Sequence, residues 1–343
     1  MIELINKLEK KRSLSLEEYE YLIKNRNEEY AEILAKKATD VRKKIYGNDV
    51  YIRGLIEISN FCKNDCYYCG IRKSNLCAER YRLTKEEILD CCKEGYKLGF
   101  RTFVLQGGED MYFTDKTLGD IVSLIREKYP DCAITLSVGE RTKESYQHLF
   151  NCGANRFLLR HETADSEHYD KLHPENLTLE NRIECLKNLK EIGYQTGCGF
   201  MVGSPYQTDN CIAKDLKFIE EFKPQMVGIG PFIPHKDTPF KDFKSGNLNK
   251  VLLLLGIVRL INPKVLLPST TALATLDKNG RIEGLKMGAN VVMPNLSPDS
   301  AKVKYTLYNN KARFGKEAAL NIEKLKTELA EHSMRVVCER GDY

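Results

Sequence analysis

The sequence has no run of five like charges, no long apolar stretch and no apolar core behind its first residues, and each gap removes a class of function. Basic and acidic residues are interleaved, as in KLEKKR and KEEILD, and the net charge is only +5 over 343 residues. Without a basic patch or arm there is no electrostatic footprint for nucleic acid. The longest apolar run, residues 251–261, is interrupted by Arg259 and falls short of the roughly 20 residues that cross a bilayer, so no membrane is expected. The opening MIELINKLEKKRS lacks the apolar centre of a secretory signal, which makes the cytoplasm the expected compartment. There, twelve cysteines do not read as a disulfide framework. Cys91, Cys92, Cys185 and Cys211 fall on expected helices and read as small packing residues. Apolar residues at 42% and charged residues at 29% describe a globular chain with a sizeable core.

What is present is concentrated in residues 58–70, ISNFCKNDCYYCG. Cys62, Cys66 and Cys69 stand at C-x3-C-x2-C, which brings three thiolates onto one tight loop. A closed structural zinc site takes four ligands, and a cubane iron–sulfur cluster held wholly by protein takes four thiolates. Three leave one coordination position open for chemistry at the metal. A zinc knuckle with a distant fourth ligand is the alternative. The loop, with the aromatic Tyr68 just before its last cysteine, resembles the cluster loop of the radical S-adenosylmethionine (SAM) enzymes. That resemblance implies a 4Fe–4S cluster on Cys62, Cys66 and Cys69. Its open iron would chelate the amino and carboxylate groups of SAM, and its reduction would cleave SAM to methionine and a 5′-deoxyadenosyl radical.

Residues 1–47 read as a helical extension. Leu4, Ile5 and Leu8 begin an apolar face, Ser15 and Glu18 have capping-box spacing, and Tyr30, Ile33, Leu34, Ala38, Val41 and Ile45 share one face of a longer helix over 28–45. Eight strand–helix units follow over 48–310. The strands are expected at 51–59, 102–106, 133–137, 156–160, 195–201, 225–229, 264–268 and 290–293. Amphipathic segments follow each, at 84–97, 116–128, 143–151, 179–192, 210–222, 249–261, 280–286 and 299–308, and a last helix and tail occupy 311–343, with the helix over 316–332. This alternation predicts an α/β fold, a complete (β/α)8 TIM-type barrel, with a doubly wound open sheet as the alternative. A barrel demands that functional groups sit at the carboxyl ends of its strands.

Polar groups do cluster there. Gln106-Gly107-Gly108-Glu109-Asp110 follows the second strand, and its two glycines admit a ligand against the backbone. It resembles the GGE motif of radical SAM enzymes, whose backbone binds the SAM amino group. Thr135 and Ser137 end the third strand, with hydroxyls that either reach a ribose or are satisfied by backbone. Arg160-His161-Glu162-Thr163 ends the fourth, and its Arg and Glu must pair with each other or with a ligand. Arg182, early in the following helix, either reaches a carboxylate through two parallel hydrogen bonds or is a solvated surface arginine. His161 and His235 are the histidines best placed for a site, and neither is assigned as catalyst. Gly228-Ile229-Gly230 ends the sixth strand, where Ile229 is positioned to cover an adenine face; a dinucleotide-binding fingerprint is not supported, since the third glycine and the later acid are missing. Pro268-Ser269-Thr270-Thr271 ends the seventh strand, and Asn295 follows the eighth.

Longer strings narrow the resemblance. CGIR, RHETAD, ENR, MVGSPYQT, VGIGPFIPHKDTP, PSTTA and GANVVMPN together resemble the HydE family of FeFe-hydrogenase maturases, from about Val50 to Tyr308. The resemblance implies that Tyr68, Gly107, Gly108, Ser137, Glu162, Arg182 and Ile229 serve the SAM site. It implies that Arg53, Thr135, Arg160, Met226, Thr270, Thr271 and Tyr305 line a substrate cavity inside the barrel. The implied substrate is a small anionic iron complex carrying cysteine, carbonyl and cyanide. The implied partners are a tyrosine-cleaving radical SAM maturase, a scaffold GTPase and a reductant. Many family members carry a second cysteine group near the C-terminus, whereas residues 309–321 here, NNKARFGKEAALN, contain none, so one cluster is expected. The rival readings are another barrel-type radical SAM enzyme, such as methylornithine synthase or a biotin synthase-like enzyme, and a non-catalytic iron–sulfur scaffold or carrier. Biotin synthase has further strand-end cysteines, where this chain offers only Cys198.

Overall fold

The computed structural model describes residues 1–311 and 318–343, with the backbone alone at 318–321. Three helices open the chain, α1 (Ile2–Lys11), α2 (Leu16–Lys24) and α3 (Glu28–Tyr46). The Ser15 capping box is formed: Glu18 N donates to Ser15 Oγ at 3.2 Å and Ser15 N to Glu18 Oε2 at 2.8 Å. The barrel then begins with a strand broken at Arg53 into β1 (Asp49–Ile52) and β2 (Gly54–Ser59).

In chain order there follow α4 (Lys85–Lys97), β3 (Thr102–Gly107), α5 (Asp115–Lys128), β4 (Ala133–Ser137), α6 (Lys143–Asn151), β5 (Arg156–Leu158), α7 (Ser166–Leu172) and α8 (Leu179–Ile192). Next come β6 (Gln195–Cys198), β7 (Met201–Val202), α9 (Asp209–Phe222), β8 (Met226–Val227), β9 (Gly230–Pro231), α10 (Leu248–Ile261), α11 (Thr271–Leu276) and α12 (Gly280–Lys286). The chain ends with β10 (Val291–Val292), α13 (Asp299–Lys302), α14 (Ala318–Ala330) and β11 (Arg335–Val337). The N-terminal helices lie on the outer layer, α2 against α9 and α3 against α10.

Parallel pairing runs β2-β3-β4-β5-β6-β8. It continues through single parallel bridges, Met226 to Leu266 and Pro268 to Val291. β10 pairs with β1, Tyr51 opposite Val291, and Leu55 bridges Asn295, which completes the circuit. The expected seventh strand is reduced to these bridges, and proline, which has no N–H to donate, stands at 263 and 268 on either side of it. The expected fifth strand is interrupted: β6 stops at Cys198, and β7 pairs separately with β9.

Two further elements differ from expectation. The expected helix over 299–308 shrinks to the single turn of α13. The tail returns as a strand, with β11 parallel to β1, Val50 opposite Val336. The expected start of the last helix, residues 316–317, lies outside the described residues. Among the described residues no helix is long and apolar enough to cross a membrane.

Period-two alternation sorts the strand side chains. Ile56, Ile58, Phe103, Leu105, Ile134, Leu136, Phe157, Cys198 and Val227 join the apolar core shared with the helices. Their neighbours face the barrel interior. Arg53 Nη1 meets Met226 Sδ at 3.1 Å, a contact between strands that are not neighbours in the ring.

Candidate active site

The cysteine loop leaves the carboxyl end of β2 and is tied down on several sides. Lys63 N donates to Glu109 O at 2.9 Å, Tyr67 N to Leu172 O at 3.0 Å, and Gly70 N to Leu307 O at 2.8 Å. Within it, Asp65 pairs with Arg72 at 2.6 Å. Against the effect of partial burial, hydrogen bonds from Arg72 and Ser74 hold the Asp65 carboxyl down at about 2.

The three thiols feel one another. Burial first, then the charges of Cys69 and Cys62, push the Cys66 thiol well up, and burial with Cys62 pushes Cys69 up to about 12. Three half-buried sulfurs that resist ionising together suit a cationic iron centre, which draws off their protons. Among the described residues no three Cys, His, Asp or Glu side chains converge as ligands of one metal ion. The thiolates of a cubane sit on separate irons, and so stand further apart than ligands of a single ion.

The glycine turn after β3 is built onto this loop. A Cβ at Gly108 would meet Phe61 O at 2.2 Å and Cys62 Cβ at 2.8 Å, so only glycine allows the approach. Glu109 Oε1 accepts from Glu140 N at 2.9 Å, and Asp110 takes Ser59 Oγ at 2.6 Å and a fork from Arg82 at 2.7 and 2.9 Å. The carboxylates therefore brace the turn and leave Gly107 and Gly108 at the rim beside the cysteines.

Tyr68 is held by a residue that sequence reasoning passed over. Its hydroxyl lies 3.3 Å from His173 Nε2, with the rings edge to face at 5.5 Å. His173 Nδ1 lies 3.0 Å from Tyr169 O and so carries the proton, which leaves Nε2 to accept from Tyr68. Burial, helped by the Arg182 charge, pulls His173 down to about 3 and keeps it neutral. Nothing local in the sequence joins Tyr68 to a histidine so far along the chain.

Arg160 and Glu162 lie 3.2 Å apart as an ion pair, yet Arg160 Nη2 and Glu162 Oε2 make no aligned hydrogen bond and are buried. Glu162 sits at φ +66°, a left-handed conformation uncommon outside glycine and one that clusters at functional sites. The turn is clamped beneath by His161 and Asp215, both fully buried. Gly199 N donates to His161 Nδ1 at 3.3 Å, His161 Nε2 lies 3.2 Å from Asp215 Oδ1, and Ala164 N donates to the same oxygen at 2.5 Å. Burial, then Arg160, pulls His161 down to about 3, so it is a neutral structural brace. His235 is likewise packed rather than presented, with Asp237 N donating to its Nδ1 at 3.2 Å. Arg182 does find a carboxylate, and it belongs to this chain: Nε donates to Glu140 Oε1 at 2.5 Å, while Nη1 donates to Arg160 O at 2.6 Å. Glu140, missed by sequence reasoning, thereby links the turn after β4 to α8.

Of the expected cavity residues, Arg53 and Met226 touch across the barrel interior. Arg53 Nε and Nη2, Thr135 Oγ1, Arg160 Nε and Thr270 Oγ1 are buried without a hydrogen-bond partner. Such atoms are costly in a dry interior and ask for a polar guest. Tyr305 is buried, and its hydroxyl accepts from Gln106 Nε2 at 3.3 Å. Thr271 and Ser137 are half-buried at the rim. Ile229 is packed rather than open. It lies between β8 and β9, fully buried in the apolar core. Gly228 is spent on strand packing, since a Cβ at Gly199 would strike Gly228 O at 1.9 Å.

The family model for the radical SAM superfamily matches residues 56–219. The chain is 42% identical over 309 residues to the [FeFe] hydrogenase maturase subunit HydE of Thermotoga maritima, covering 90% of this chain and 88% of that one. It is 32% identical over 289 residues to the 3-methylornithine synthase of Methanosarcina acetivorans, covering 84% and 81%. Among solved structures, methylornithine synthase (PylB) superposes with a TM-score of 0.84 at 28% identity over 97% of each chain. HydG, a maturase of the [FeFe]-hydrogenase, superposes with a TM-score of 0.81 at 20% identity over 98% of this chain and 75% of its own, a likeness of fold.

Proposed function

This chain belongs to the HydE family within the radical SAM superfamily, and from that premise we propose that it reductively cleaves SAM and uses the radical on a small iron–cysteine complex carrying carbonyl and cyanide. That step would serve the assembly of the FeFe-hydrogenase di-iron subcluster. The observation that carries the reading is the row of unpartnered buried donors, Arg53, Thr135, Arg160 and Thr270, inside a barrel whose rim holds three thiols on one loop. A cation- and hydroxyl-lined interior suits a small anion.

Cys62, Cys66 and Cys69 would hold one 4Fe–4S cluster. Once bound there, the cluster supplies the electron that splits SAM into methionine and a 5′-deoxyadenosyl radical. The chain's own groups supply position and shelter. Gly107 and Gly108 offer backbone to the SAM amino group, and Arg182, charged and aimed by Glu140, offers its guanidinium to the carboxylate. Ser137 and Glu162 would meet the ribose side, with Tyr68 fixed by His173 next to the last thiolate. Arg53, Arg160, Thr135, Thr270, Thr271, Met226 and Tyr305 would seat the substrate, and the closed barrel would keep water from the reactive species. A tyrosine-cleaving maturase would deliver the substrate and a scaffold GTPase would receive the product, with a reductant feeding the cluster.

The test is maturation in extracts that contain the sister maturases, with and without this protein. Active FeFe-hydrogenase only in its presence is the expected result. Normal SAM cleavage with no effect on maturation would instead favour an amino-acid mutase of the methylornithine synthase kind.

A further inference from the structure

Arg53 and Glu57, on one interior face of the first strand, are met differently by their surroundings. Arg53 and Arg160 keep nitrogens without hydrogen-bond partners. Glu57, fully buried on β2 and on the same interior face as Arg53, has both oxygens engaged. Asn295 Nδ2 donates to Oε2 at 2.8 Å, and Lys311 Nζ pairs with Oε1. The lysine arrives from beyond α13, with its side chain only 12% exposed. Its Nζ also donates to Tyr305 O at 3.1 Å and lies 4.6 Å from the centroid of the Tyr305 ring. Gln106, which stands opposite Glu57 in strand register, donates to the Tyr305 hydroxyl. Carboxylate, lysine and the Tyr305 wall thus form one connected cluster inside the barrel.

A carboxylate in a water-poor interior works against any anionic guest, because charge–charge interaction is far less screened there than in water. Lys311 answers that charge from within the chain. We propose that Glu57 and Lys311 are the specificity-determining charge pair of the cavity: the lysine cancels the buried carboxylate as Glu162 faces Arg160, leaves the net charge to Arg53, and so sets the preference for a small anion. The inference rests on reading this cavity as the substrate site, and it adds to that reading two residues that none of the expected cavity positions include.

The pair makes a prediction of sign. Removing the lysine leaves an extra negative charge, and removing the glutamate leaves an extra positive one, so the two single variants should move anion affinity in opposite directions. A pair that merely supports the fold would harm both alike. Holoenzymes carrying Lys311→Met, Glu57→Gln and both changes are titrated calorimetrically with inorganic sulfate, and the apparent KM for the iron–cysteine precursor is measured beside it. Lys311→Met should weaken sulfate binding about tenfold and raise the precursor KM similarly. Glu57→Gln should bind sulfate at least as tightly as the parent, and the double variant should return to within about threefold of it, as expected when both charges of a buried pair are replaced together. Iron content is followed throughout, and Lys311→Gln replaces Lys311→Met if the latter loses its cluster. Two single variants that weaken sulfate equally, or a double variant no better than Lys311→Met, would overturn the proposal. If sulfate follows the expected order while the parent ignores the precursor, the substrate reading fails and the charge pair stands.

Discussion

At the scale of the residue, Glu162 joins strain to exposed chemistry. A left-handed glutamate with a buried, unaligned oxygen is poised for an external partner, and under the proposed function that partner is SAM. Loss of one charge-assisted hydrogen bond costs about 1.5–3 kcal/mol, or roughly ten- to a hundredfold in affinity. Glu162→Ala should therefore weaken SAM binding by that factor in calorimetry, while cluster iron stays in place. Unchanged SAM affinity would move Glu162 out of the cofactor site. What was legible at this scale was whatever local spacing carries: three cysteines on one loop, and glycines where a Cβ would strike Phe61 O. Their partners were not legible. His173 for Tyr68, Glu140 for Arg182 and Asp215 for His161 meet only because the chain folds, and no local pattern announces such contacts.

At the scale of the element, α9 reaches across to the loop after β5 through Asp215. Burial raises that carboxyl well above its ordinary range, and Oδ2 has no partner, so a neutral acid fits the site. Asn keeps the oxygen that accepts from His161 and Ala164, whereas Leu removes it. Asp215→Asn should leave SAM affinity within about threefold of the parent, and Asp215→Leu should weaken it tenfold or more as the turn carrying Glu162 relaxes. Equal damage from both would show that the ionised carboxylate is required.

The buried histidines set a pH response of known sign. His161 and His173 titrate near 3 when folded against an ordinary 6.5, so the unfolded chain binds more protons as pH falls. Stability should be full above about 6.5 and decline through the interval below it, readable as a falling Tm between pH 7 and 5. A Tm that rises on acidification over that range would contradict neutral burial. Most elements were legible from apolar periodicity. The seventh strand was overestimated, because an apolar run beside prolines reads as a strand although it pairs only through single bridges.

At the scale of the whole molecule, eight repeated units announced a barrel, and the circuit of parallel pairing completes it. The β11 strand could not be foreseen, because its pairing with β1 joins the two ends of the chain. Of the remaining nine cysteines, Cys91 and Cys92 are adjacent on α4 and the others are dispersed along the chain, several of them buried in packing positions, so anaerobic reconstitution should yield about four irons per chain. About eight irons with two spin signals would reveal a second cluster. The most direct test of the account is formation of 5′-deoxyadenosine from SAM by the reconstituted, reduced protein, compared with a Cys66→Ala variant. The account predicts product from the parent and none from the variant, together with loss of the cluster's visible absorption; a variant that still cleaves SAM at the parent's rate would contradict it.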